Sequence, residues 1–244
     1  MNPKIIVICI LFSALAQTCV YCDSFDPKMV HLVDFDNGNF FFRCNEPKIN
    51  GTFVPETLVG VMKEVLKGTE LVFPEDYYLH DVNVLTPFTK LDYGDILLEK
   101  NYFKAHPERG NFYSFPITGS IEAPWLYSPE KQYQDSLTFD TWDFDELTKR
   151  TELVGELMGK FGNAKEQDKP NVVFVHCEEG KDRTGEFSGA YEMRYLKQNL
   201  QQVADHDQQI AGRPIFPNFS NHLVWYCMYL KYKVGYTIDC NFEH

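Results

Sequence analysis

The chain is short of positive charge: 23 Lys and Arg stand against 35 Asp and Glu, a formal net charge of −12. That argues against nucleic acid as a partner, because such binding depends on basic side chains displacing counterions from phosphates. It also disfavours docking on anionic membranes. Beyond the N-terminus there is no long apolar run, and a membrane span needs about 20 apolar residues. Low-complexity tracts and internal repeats are missing too, which sets aside disordered and solenoid architectures. No linker divides the chain. Cys19-Val20-Tyr21-Cys22 has no second CxxC or His pair at ligand spacing, so it reads as structural rather than zinc-binding. No metal-ligand cluster and no cofactor motif is legible.

What is there begins with the N-terminus. Lys4 is followed by an apolar run from Ile5 to Ala16, and Ala14-Leu15-Ala16 places small residues at a cleavage position. Residues 1–16 therefore read as a secretory signal peptide, leaving 17–244 as a single domain, long enough for one sizeable core. The expected location is secreted, or the lumen of the secretory pathway, with no stable membrane insertion after cleavage. The sequons Asn50-Gly51-Thr52 and Asn218-Phe219-Ser220 suit that compartment.

Periodicity outlines the elements. Residues 17–50 read as loops and short strands. Leu58, Met62 and Val65 fall at helical spacing in Glu56–Lys67. Strands are expected over Val82–Leu85 and Phe112–Ile117, and a helix over Leu91–Ala105. Residues 119–139, with Pro124 and Pro129, read as loop. Phe144, Leu147, Thr151, Val154, Met158 and Phe161 mark a helix. Val172–Val175 is a continuous apolar run, as in a buried strand. Phe187, Ala190, Met193, Leu196, Leu200 and Val203 mark another helix, and His222–Lys233 is a helix apolar nearly all round. The fold class expected is α/β: a central sheet flanked by helices, with the loop 176–184 between a buried strand and a helix.

That loop carries the chemistry. It reads His176-Cys177-Glu178-Glu179-Gly180-Lys181-Asp182-Arg183-Thr184-Gly185. A strand-to-helix turn aims successive backbone N–H groups into one concavity, and the helix adds its positive end. Such a cradle binds phosphate without metal and favours a thiolate at its centre. Arg183 can close it with a two-pronged guanidinium, and Gly180 relieves crowding where the backbone turns inward. The segment resembles the signature of the protein tyrosine phosphatase superfamily, His-Cys-five residues-Arg-Ser/Thr, at every fixed position.

The resemblance implies roles. Cys177 is the nucleophile and Arg183 the phosphate clamp. The backbone of Glu178, Glu179, Gly180, Lys181 and Asp182 completes the phosphate site. Thr184 donates its hydroxyl to the departing thiolate, and His176 orients the loop and tunes the cysteine without taking a proton. Glu179 and Glu186 depart from residues common in the family; Glu186 suits a helix's first turn. A general acid is expected on a mobile loop upstream, where Phe139-Asp140-Thr141-Trp142-Asp143-Phe144-Asp145 stands. Asp143 follows a Trp, as in the family's Trp-Pro-Asp loop, but the Pro is missing. The competing reading makes Asp143, with Glu146 three residues on, the cap of the following helix; Asp140, and then Asp145 or no acid of this segment, are the alternatives.

The activity implied is metal-independent hydrolysis of phosphomonoesters through a phosphocysteine, with a phosphorylated protein or small phosphomonoester as substrate. Phosphotyrosine or dual-specificity action is the first expectation. Inositol phosphates or phosphoinositides come second, since Lys181 makes the loop more basic and His-Cys-Glu resembles the cysteine-based phytases. A non-catalytic phosphate-binding module is the alternative of another class. Cys177 must stay free, which leaves an odd number of cysteines after cleavage. Cys227, mid-helix and apolar on both sides, is expected to be a buried thiol, with up to two disulfides among Cys19, Cys22, Cys44 and Cys240.

Overall fold

The computed structural model describes residues 25–161 and 168–241. Residues 1–16, expected to be a signal peptide, and Cys19 and Cys22 lie outside the described residues. In chain order the elements are β1 (His31–Asp36), β2 (Asn39–Asn45), β3 (Lys48–Ile49), β4 (Thr52–Phe53), α1 (Pro55–Val65), β5 (Tyr78–Asn83), α2 (Lys90–Ala105), β6 (Gly110–Ser114), α3 (Pro129–Leu137), α4 (Phe139–Trp142), α5 (Leu147–Leu157), β7 (Asn171–Cys177), α6 (Asp182–Tyr191), α7 (Leu200–Ala211) and α8 (Pro217–Tyr229). The main sheet has the order β1-β2-β7-β5-β6, with β1 antiparallel to β2 and the other pairings parallel. Helices cover both faces, as the α/β reading required.

The register explains why the central strands are apolar at consecutive positions. Phe40, Phe42, Cys44, Val172 and Phe174 face one core with α1 and the end of α2. Phe41, Val173, Val175 and Cys177 face the other, with α5, α6 and α8. A strand buried on both faces has no side on which a polar residue is cheap. β7 lies centrally, and its C-terminal end opens where ligand sites of parallel sheets form. Among the described residues no helix is long and apolar enough to cross a membrane.

Several boundaries differ from the sequence reading. β5 ends at Asn83 and β6 at Ser114, each shifted toward the N-terminus of the expected strand. Residues 119–139 are not loop throughout. Pro129 sits in the first turn of α3, where its missing N–H costs nothing, and Ser128 caps that helix by accepting a bond from the Lys131 N–H. The helix read from Phe144 starts only at Leu147, because Glu146 is left-handed, and Phe144 is 94% exposed. The long helix read over Phe187–Val203 is broken: α6 runs into a π-helical turn, Glu192–Leu196, which stops at left-handed Lys197. α7 then starts afresh with Asn199 and Gln202 forming a reciprocal capping box.

The cysteine pattern also needs correcting. Cys227 is not a free thiol; it is bonded to Cys240, which the chain brings back against α8 after Gly235. Cys44, expected among the bridges, is a free buried thiol on β2. It sits opposite His176 in the β2–β7 register.

Candidate active site

Cys177 ends β7, residues 178–181 turn, and α6 begins at Asp182, so Arg183 and Thr184 lie in its first turn. No side chain caps α6, which leaves its first N–H groups facing the turn. Gly180 is left-handed, with φ +68, and a Cβ there would lie 2.6 Å from the Asn45 nitrogen and the Cys44 oxygen. Both the backbone conformation and the close approach of β2 demand glycine. The turn is pinned to β2 by the Glu46 N–H, which donates to the Glu178 carbonyl at 3.3 Å. It is pinned from below by Arg43, whose Nη2 donates to the Gly180 carbonyl at 3.2 Å and whose Nη1 pairs with Asp207. Arg43 and Asp207 are both buried, and a buried pair of this kind fixes geometry more than it adds stability.

Arg183 Nη1 donates to Asp92 Oδ2 at 2.8 Å. That oxygen also accepts from the Thr86 N–H and hydroxyl, each at 3.2 Å, while the Asp92 N–H bonds the Thr89 cap of α2. Asp92 is thus held by its own helix start and holds the guanidinium in turn. Burial disfavours the charge on Arg183, yet the neighbouring Cys177, Asp92 and Glu178 push its pKa up. The guanidinium therefore stays charged, as the clamp role expected of it would require. Burial, then Asp92 and Glu179, push the Glu178 carboxyl up, with Arg183 acting against them.

The rim charges of the loop are matched. Lys181 pairs with Glu179 at 3.1 Å. Arg213 forks onto Asp182 at 2.8 and 2.7 Å, and Asp182 also takes the Phe216 N–H. Thr184 Oγ1 is buried without a hydrogen-bond partner, so the hydroxyl bond to Cys177 expected of it is not formed here.

His176 lies on the opposite face of β7 from Cys177, fully buried. Its Nε2 stands 3.1 Å from Asp81 Oδ1 and 3.3 Å from Glu99 Oε2. Burial opposes its charge, but the Glu99 and Asp81 carboxylates hold its pKa well above the usual range. Burial and Glu99 raise Asp81 to about 7. The expected orienting role now has named partners: β5 supplies Asp81, α2 supplies Glu99, and Asn83 Nδ2 donates to Glu99.

The three upstream Asp residues are all engaged elsewhere. Asp143 is buried; its Oδ1 accepts the Asp145 N–H at 2.9 Å and its Oδ2 the Leu147 N–H at 2.6 Å. It caps the start of α5, the role weighed against that of general acid, although Glu146 is not its capping-box partner. Asp145 accepts from Thr118 N, Thr118 Oγ1 and Gly119 N at 2.7–2.8 Å. Asp140 is paired with Lys233 Nζ at 2.6 Å. No bond joins any of the three to Cys177 or Arg183 among the described residues. Sequence reasoning missed Asp92, Arg43, Asp207, Asp81 and Glu99. Each lies far along the chain from the loop, and only Arg43, a lone charge in the apolar Phe40-Phe41-Phe42 strand, gave a local signal.

No protein-family model matches the chain, and neither does any curated protein. Solved structures similar to it include three others. They are Tk-PTP in its active form (11% identity, TM-score 0.41, 82% of this chain and 96% of that one), the core catalytic domain of the PP-IP phosphatase SIW14 from S. cerevisiae (17%, 0.40, 80% and 84%), and the Yvh1 phosphatase domain from Chaetomium thermophilum (15%, 0.40, 88% and 99%). The likeness is loose and concerns the fold; the chemistry rests on this chain's own loop.

Proposed function

We propose that the protein is a secreted cysteine-dependent phosphatase acting on singly phosphorylated groups, phosphotyrosine before phosphoserine. The observation that carries this reading is Cys177 at the mouth of an uncapped helix start, with Arg183 pre-set by Asp92 six residues further on. Cys177 Sγ attacks phosphorus in line, the P–O bond to the leaving group breaks, and a phosphocysteine forms. The loop N–H groups and Arg183 stabilise the equatorial oxygens. Water then attacks phosphorus and releases phosphate and the thiolate. Asp92 is a positioning residue: an acid fixed on a guanidinium is poorly placed to deliver a proton.

Two features favour the substrate class. Lys181 and Arg213 already carry carboxylate partners, which leaves little free positive charge for a polyphosphorylated ring. Asp143 and Asp145 are tied into capping and loop bonds and Asp140 is paired with Lys233, so no acid of that segment stands ready for the leaving oxygen. Aryl phosphates, whose phenoxide leaves more easily than an alkoxide, are then the better substrates. The Cys227–Cys240 bond suits the oxidising compartment that the N-terminus suggests.

The test is a panel of phosphotyrosine peptide, phosphoserine peptide and inositol phosphates under reducing conditions. Turnover is expected on the phosphotyrosine peptide, weaker on the phosphoserine peptide and weakest on inositol phosphates. Preference for inositol phosphates would overturn the substrate class, and no turnover of any of them would make the chain a binding module.

A further inference from the structure

Glu186 lies three residues beyond Arg183 on α6, yet it faces away from the phosphate loop. It is fully buried, and its Oε1 stands 2.6 Å from His222 Nδ1. His222 comes from α8 and is buried as well. The same Nδ1 is 3.7 Å from Asp145 Oδ2, while the other ring nitrogen, Nε2, is 3.2 Å from Asp143 Oδ1. We propose that Asp145, Glu186 and His222 form a site for one divalent cation of the manganese-to-zinc class, with Asp143 as the carboxylate that orients the imidazole.

The geometry fits. One donor atom from each of the three residues lies within 4.8 Å of the others. Around an ion with bonds of about 2.1 Å, donors sit roughly 3 to 4 Å apart; the 3.7 Å between His222 Nδ1 and Asp145 Oδ2 already meets this, and a small opening at Glu186 is needed. A ring nitrogen that bonds a carboxylate while the other turns toward oxygen ligands is the arrangement metal-binding histidines adopt. Coordination at Nδ1 replaces the proton that bonds Glu186.

A separate observation points to a missing ligand. Glu186 Oε2 is buried and has no hydrogen-bond partner. Buried carboxylate oxygens are rarely left unmet, and a cation would satisfy this one. Charge leads to the same place. Asp143, Asp145 and Glu186 converge, and Arg150, the arginine that interacts electrostatically with all three, spends its Nη1 on the Pro116 carbonyl. One imidazole nitrogen with carboxylate oxygens, and no thiolate, suits hard to borderline divalent ions. A route in exists: a cavity of about 450 Å³ is lined by Asp143, Asp145 and His222, with Glu122 and the ion pair of Asp135 and Lys131 on its other walls.

The ion would join three pieces of chain: the helix that opens at the phosphate loop, the long buried α8, and the segment leading into α5. It would brace α6 from behind and take no part in bond-breaking at Cys177, so the site stands independently of the phosphatase reading.

The test uses the full-length mature chain with Cys177→Ser, which removes the reactive thiol as a competing ligand. The protein is stripped with a chelator and titrated with Mn2+, followed by electron paramagnetic resonance, and with Zn2+, followed by calorimetry. One ion per chain is expected, bound at micromolar or tighter affinity, with a thermal midpoint that rises with ion concentration. Glu186→Gln and His222→Gln should each weaken binding at least about 10-fold. Should either variant fail to fold, pulsed resonance on the Mn2+-loaded parent decides the matter, because a bound histidine gives nitrogen hyperfine coupling. Absence of stoichiometric binding, affinity unmoved by both substitutions, or bound Mn2+ without nitrogen coupling would each overturn the proposal.

Discussion

At the scale of single residues, a few contacts of Arg183 and Asp143 decide what the loop can do. Asp92 holds the guanidinium at 2.8 Å, so Asp92→Asn should leave the fold intact and lower kcat/KM roughly 10- to 100-fold, about 1.4 to 2.7 kcal/mol of transition-state stabilisation. Arg183→Lys should lose more, on the order of 10²-fold or beyond, because a point charge cannot reproduce the fork. Steady-state kinetics on an aryl phosphate check both. Asp143→Ala should behave as loss of a cap: a stability cost of about 1 kcal/mol or more, read from urea denaturation, with the dependence of rate on leaving-group pKa unchanged. A selective slowing of poor leaving groups in Asp143→Ala would restore it as the general acid. The loop itself was legible because its residues are contiguous. Asp92 was not, since it meets Arg183 only after β5 and α2 are folded against β7, and nothing in Lys90-Leu91-Asp92 distinguishes it from a surface acid.

At the scale of elements, β7 and its neighbours carry an unusual buried charge load. Glu46, just after β2, is raised to about 8 by burial and then Glu99, with His176 and Lys48 acting against. Asp81 is raised to about 7 and His176 well above its usual value. For all three, the folded state keeps a proton that the unfolded chain has released. The stability that each contributes is therefore full below its unfolded pKa and is lost as pH rises through its folded one. Chain stability should thus fall between about pH 5 and pH 8, by at most about 1.4 kcal/mol per pH unit for each proton retained. Denaturation midpoints at pH 5.5 and 8 check the sign, and Glu46→Gln should flatten the slope. A rise in stability over that range would mean that the cluster is solvated. Element reading from sequence succeeded where burial is two-sided, as in β7, and where apolar residues fall at helical spacing, as Leu58, Met62 and Val65 do in α1. It failed at α3, because Pro124, Pro129 and weak periodicity read as loop over 119–139, while Pro129 stands in a helix's first turn, where proline is welcome. It failed again between α6 and α7, because apolar spacing continues through Lys197 while the backbone does not.

At the scale of the whole molecule, one sheet with helices on both faces brings the active loop and two buried groups of His and carboxylates into register. His176 with Asp81 and Glu99 lies on the α2 side, and His222 with Glu186 and Asp145 on the α8 side. None of these groupings shows in sequence, because their members come from different elements. The Cys227–Cys240 bond ties the last described residues to α8. Cys240→Ser should lower the thermal midpoint while leaving kcat on an aryl phosphate within about twofold, since a bridge closing so short a loop contributes at most about 3 kcal/mol and stands apart from Cys177. The central claim is that Cys177 carries the phosphoryl group between two half-reactions. Rapid acid quench of the enzyme with a ³²P-labelled aryl phosphate, followed by peptide mapping, tests it most directly. Label on the peptide containing Cys177, absent in Cys177→Ser along with turnover, is the predicted result; turnover that survives in Cys177→Ser, or label on another peptide, would contradict it.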